Sequence, residues 1–163
     1  MKSIRTTDDR LRALKLIHAD LTVSNPLRPY QPDPKKSVVL IPFNFGIDPR
    51  VAAAVKAGIN LLLELGVPVV VTAGNRRAES DQVTRIPAVL HTADFPIIVV
   101  GATDINGNLH TSSQGGTKLA MHAPGVNVKV SNKNGSETTD SGTCFGKFST
   151  LRYGLTVSLL HIR

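Results

Sequence analysis

Residues 37–75 read SVVLIPFNFGIDPRVAAAVKAGINLLLELGVPVVVTAGN, and this stretch decides the fold. SVVLIPF (37–43) is short, apolar and β-branched, as suits a strand buried on both faces. Asp48 then offers a helix N-cap and Pro49 a first helical residue. Val51, Val55, Ile59 and Leu62 recur at helical spacing, and Gly66 stands where a helix closes in left-handed backbone. VPVVVTA (67–73) follows at once as a second buried strand. Strand, helix and strand on short links form a βαβ unit, whose two strands run parallel.

Outward from this unit the pattern continues. FPIIVVGATD (95–104) supplies a third buried strand, and INGN after it is a turn. A short strand is expected near 126–130, and NKNGSETTDSG after it reads as a hairpin or loop. Upstream, DDRLRALKLIHADL (8–21) places Leu11, Leu14, Ile17, His18 and Leu21 on one helical face, with Asp8 and Asp9 near the positive end. Between helix and strand, SNPLRPYQPDPKK carries four prolines in nine residues, so it reads as an extended connection. The class is α/β with a mostly parallel sheet.

Composition narrows the function. At 163 residues, 41% hydrophobic and 19% charged, the chain is long enough and apolar enough to bury a core. Aromatics are only 4%, so that core rests on Val, Ile, Leu and Ala. The net charge of +7 raises the question of nucleic acid, but the basic residues are scattered, with no aromatic interleaving and no paired CxxC. A solvated basic surface is expected, with no nucleic-acid partner. No apolar run is long enough to cross a bilayer, and MKSIRTTDDRLR lacks the apolar segment of a signal peptide. The lone Cys144 excludes an internal disulfide. No GxGxxG or GxxxxGK follows any expected strand, which argues against a nucleotide-binding α/β domain.

In an open parallel sheet, ligands gather beyond the C-terminal ends of the strands. NFG, AGN and GATD stand at three such ends. Gly74 lets the backbone turn, and Asn75 then projects an amide donor suited to an oxyanion. A turn asparagine bonding its own backbone is the alternative.

VPVVVTAGN, IPAVL, FPIIVVGATDINGNL, TSSQGG, LAMHAPGVNV and SGTC occur in this order over roughly residues 38–145. The sequence thereby resembles the C-terminal half of a subtilisin-like serine protease (peptidase S8, the subtilases). The resemblance implies a partial subtilisin-like fold of three layers. It divides the chain into an N-terminal helix and proline-rich connection (1–36), the partial domain (37–145) and a divergent C-terminal tail (146–163).

The same resemblance implies roles. Asn75 matches the family's oxyanion-hole donor. Asn44, Phe45 and Gly46 match the segment that pairs with an extended substrate. Thr72, Ala73 and Gly74 match the wall of the primary specificity pocket. Pro87, Val89 and Asp104 fall where some relatives bind calcium, although one carboxylate holds calcium poorly, and no other metal or cofactor is implied. Ser141-Gly142-Thr143-Cys144 stands where the family has SGTS, so Cys144 occupies the place of the nucleophilic serine. A helix N-terminus there favours an anion, thiolate included, while the alternative for a lone cysteine is a small buried hydrophobe. Phe145, Phe148, Leu151, Leu155, Leu159 and Ile162 then recur at helical spacing.

The family's catalytic Asp and His have no counterpart. None of His18, His91, His110, His122 or His161 stands in an H-G-T-H context, and Asp48 is explained as a helix cap. The expected function is therefore that of a truncated serine-type endopeptidase, inactive alone, with peptide or protein as its partner. A non-catalytic peptide-binding relative is the alternative. Relatives are commonly secreted, but the sequence itself fixes no compartment.

Overall fold

A computed structural model describes residues 6–24, 26–27 and 31–153, with side chains as far as residue 149. Helix α1 (Thr7–Thr22) opens at Thr6, whose side chain accepts from the Asp9 N–H while Asp9 returns a bond to the Thr6 N–H. This reciprocal cap satisfies two donors that the helix leaves open. Strand β1 (Val39–Ile41) follows, then α2 (Pro49–Glu64) and β2 (Val69–Thr72). Asp48 caps α2 through the N–H groups of Arg50 and Val51, and Gly66 closes it at φ +74°. Both features were legible in the sequence.

Strands β3 (Ile98–Thr103) and β4 (Met121–Pro124) complete a four-stranded parallel sheet in the order β1-β2-β3-β4. Strands β5 (Val128–Ser131) and β6 (Glu137–Asp140) form a separate antiparallel hairpin. The sequence reading found the hairpin and missed β4. MHAP offers neither β-branching nor a long apolar run, and its place in the sheet comes from pairing with β3.

Three layers result. On one face, α2 buries Val55, Ile59 and Leu62 against Val69, Val71 and Val99, and α1 adds Leu14 with Leu11, Ile17 and Leu21 around it. The helices meet where a Cβ on Gly58 would come within 3.1 Å of the Leu14 side chain. On the other face, Val70, Val100 and Ala123 underlie helix α3 (Thr143–Tyr153). The chain has a three-layer α/β fold built on a parallel four-stranded sheet.

Helix α3 corrects one expectation. Apolar spacing suggested that Phe145 and Phe148 lead the buried face, yet Phe148 is 53% exposed while Lys147 is fully buried. Backbone proximity decides the rotation. A Cβ at Gly146 would lie 2.6 Å from the Gly101 carbonyl oxygen and 3.1 Å from that of Ala123, so only glycine lets the helix settle there. Lys147, next along the helix, is carried inward with it. The remaining expected positions, 155, 159 and 162, lie outside the described residues. Among the described residues no helix is long and apolar enough to cross a membrane.

Candidate active-site cleft

The ends of β1 and β2 and the start of α3 converge. At the end of β2 the chain turns through Gly74, at φ +110°, and presents Asn75. The Asn75 Oδ1 accepts from the Thr143 N–H and from the Thr143 hydroxyl, both at 2.9 Å. Asn75 is thus held by a residue 68 positions away, and the local turn alternative does not describe it. The Thr143 hydroxyl is also hydrogen-bonded to the Thr72 hydroxyl, and the Gly74 N–H points to it at 3.3 Å. With Oδ1 engaged, the Nδ2 of Asn75 lies beside Gly142, where a Cβ would approach it to 2.9 Å. Glycine at 142 therefore keeps this amide seated.

Cys144 is the second residue of α3 and is half-buried, with a free thiol. Its N–H is among the first-turn donors that a helix leaves open. A carbonyl oxygen placed between Asn75 Nδ2 and this helix start meets donors from two directions, the arrangement that stabilises an oxyanion. Among the described residues no hydrogen bond reaches the Cys144 thiol. Lys147, one turn on, has a buried Nζ with no hydrogen-bond partner; the ring of Phe148 lies 4.6 Å away. Burial lowers its ammonium to about 8, against an opposing push from Cys144.

Beside Asn75 a cleft of about 350 Å³ opens, walled by Asn44, Phe45 and Gly46 on one side and by Gly74, Asn75 and Arg76 on the other. Arg85 and Gln114 complete it. The Gln114 Nε2 donates to Ser80 O, Gln82 O and Thr84 Oγ1, at 3.1, 2.7 and 3.0 Å. Three acceptors on Nε2 fix the amide and leave its Oε1 buried with no protein donor. The Oδ1 of Asn44 is in the same condition. Buried acceptors of this kind are uncommon and call for a donor.

The expected site residues fall into two groups. Asn44, Phe45, Gly46, Gly74 and Asn75 line the cleft, and Cys144, Thr72 and Ala73 are not part of its lining. Phe45 has its backbone already paired, N–H to Ile86 O at 2.7 Å and C=O from Ile86 N–H at 3.3 Å, and its ring is buried in the core. Only its neighbours can face an added strand, since alternate residues of an extended segment bond to opposite sides. Thr72 and Ala73 do not line the cleft: Thr72 is turned to Thr143, and the Ala73 N–H is bonded to Val100 O. Arg76, Arg85 and Gln114 were not singled out by sequence reasoning. Gln114 sits in TSSQGG, which was noticed without a role, and Arg85 lies two residues before Pro87.

The calcium expectation meets a different use of Asp104. One of its oxygens accepts from the N–H groups of Asn106 and Asn108, the other from the Asn108 side chain. These bonds hold its carboxyl below the ordinary 3.8, the Asn108 side chain foremost. Among the described residues no three of His, Cys, Asp and Glu cluster.

Comparison of the sequence with protein-family models and with curated proteins finds no match. Solved structures do match. A cold adapted subtilisin-like serine proteinase superposes with a TM-score of 0.65 at 22% identity, over 97% of this chain and 49% of its own. The prenylagaramide maturation protease PagA gives a TM-score of 0.64 at 22% identity, over 99% of this chain and 52% of its own. The likeness is one of fold, and the chain spans about half the length of the solved structures it matches.

Proposed function

We propose that this chain is the oxyanion-hole and substrate-binding half of a subtilisin-type peptidase site, able to hold an extended peptide and unable by itself to cleave it. The observation that carries the reading is the Thr143 clamp on Asn75, which leaves the Asn75 amide as a donor beside the first turn of α3. A peptide carbonyl fits that place.

Cleavage needs more. Amide hydrolysis requires a nucleophile stripped of its proton and an acid to protonate the leaving nitrogen. Cys144 stands at the nucleophile's place, but none of the described histidines or carboxylates hydrogen-bonds to it. A thiol without a base, or an oxyanion hole without an attacking group, leaves binding as the activity the residues support. The alternative of a serine-type endopeptidase is favoured by the neighbours, which are named as proteases, and it requires a base supplied from elsewhere.

Calorimetric titration of the purified chain with extended peptides tests the reading. Saturable binding that Asn75→Asp weakens is the expected result. Absence of binding to any peptide, or binding indifferent to Asn75, contradicts it.

A further inference from the structure

The cleft beside Asn75 has an unbalanced charge. Two guanidinium groups line it, those of Arg76 and Arg85, and no carboxylate does. Arg76 is ion-paired with Glu79 at 2.6 Å, both side chains being more than half exposed, so that pair is a weak surface contact. Arg77 is similarly engaged by Asp81 at 2.8 Å. Arg85 differs. It is half-buried, and among the described residues no carboxylate lies within ion-pairing reach of it.

The position of Arg85 follows from the fold. Ile86 bridges to Phe45, and the Arg85 carbonyl accepts from the Val89 N–H at 2.9 Å, in the short 3-10 turn Ala88–Leu90. The antiparallel bridge sets Arg85 opposite Gly46, and its Nη1 lies 3.6 Å from where a Cβ on Gly46 would be. A Cβ there would be in ordinary van der Waals contact with the guanidinium, so Gly46 and Arg85 are close neighbours. A guanidinium is planar, always charged and matched in shape to a carboxylate, and partial burial strengthens that pairing. The buried Oε1 of Gln114 repels an anion, but it lies against Gly74, where a Cβ would come within 2.4 Å of it.

We infer that this cleft takes the carboxylate side chain of an aspartate or glutamate in the bound peptide, with Arg85 as its charge partner. This rests on the peptide-binding reading and names the residue it selects. The cleft adjoins Asn75, and the inference assigns it to the side chain of the residue whose carbonyl meets the Asn75 amide. Arg76 contributes long-range attraction and a smaller share, because Glu79 already engages it.

Fluorescence polarisation on the full chain tests this with C-terminally amidated peptides alike except for Glu, Gln or Lys at one position. The Glu peptide is expected to bind about tenfold or more tightly than the Gln peptide, the scale of one charge-assisted hydrogen bond. Arg85→Ala is expected to erase that difference, and Arg85→Glu to turn the preference toward the Lys peptide. Thermal melting of each variant confirms that it is folded, and Arg85→Lys, which keeps the charge, retains part of the preference. Equal affinity for the Glu and Gln peptides overturns the inference and leaves the peptide-binding reading standing. So does a Gln peptide with a free C-terminal carboxylate that binds as tightly as the amidated Glu peptide, since the anion recognised is then a chain end. Binding of none of the peptides overturns both.

Discussion

The Oδ1 of Asn75 accepts both the backbone N–H and the hydroxyl of Thr143, each at 2.9 Å, and so ties the end of β2 to the first turn of α3. One side-chain amide thereby has two tasks. Its oxygen ties the end of β2 to the first turn of α3, and its nitrogen lies beside Gly142. Substitution separates them. Asn75→Ala removes both and leaves the fully buried Thr143 without its acceptor, at a cost of about 1–3 kcal/mol in urea denaturation. Asn75→Asp keeps the acceptor and loses the donor. It is expected to hold its stability better than the alanine variant while losing peptide affinity.

Lys147 places an ammonium in the core with no hydrogen-bond partner for Nζ. Its folded value of about 8 lies below the ordinary 10.5, because burial disfavours the charged form. The unfolded chain therefore binds more protons between those two values, and stability rises with pH through that window. Below pH 8 the full penalty applies, on the order of 3 kcal/mol. Lys147→Met keeps the volume and removes the charge. It is expected to raise the thermal midpoint at neutral pH by roughly 5–10 °C and to flatten the alkaline rise.

Gly146 is the point of closest approach between α3 and the sheet. Alanine is favoured over glycine inside an exposed helix by about 1 kcal/mol. Here its Cβ would sit 2.6 Å from the Gly101 carbonyl oxygen, and overpacking of this kind costs about 1–3 kcal/mol. Gly146→Ala is thus expected to lower stability, measured by denaturant midpoint, against its helix propensity.

Asp104 organises the turn after β3 through bonds that favour its ionised form, and its carboxyl is held below 3.8. Its contribution is present above the ordinary value and is lost as pH falls through the lower folded one. Asp104→Asn is expected to make the acid unfolding curve less steep in that range.

Much of this architecture is written in local chemistry. Asp48, Pro49 and Gly66 bracket α2, and Val, Ile and Leu at helical spacing name its buried face. The parallel pairing of β1 with β2 follows from the short links around that helix. What escaped was set by contacts distant in sequence. MHAP becomes a strand because β3 offers an edge, and Phe148 turns outward because Gly146 must meet Gly101. In the cleft, AGN at a strand end left Asn75 between a donor role and a local turn, and only the resemblance favoured the first. Arg85 and Gln114 were not, because their neighbours there come from other loops, and nothing in TSSQGG or in the residues before Pro87 marks them.

The central claim is that the chain binds peptide without cleaving it. An internally quenched extended peptide reads both events on one sample, polarisation reporting capture and dequenching reporting scission. The account predicts saturable capture, weakened by Asn75→Asp, with no dequenching above the uncatalysed rate. Dequenching that Cys144→Ala abolishes would contradict it.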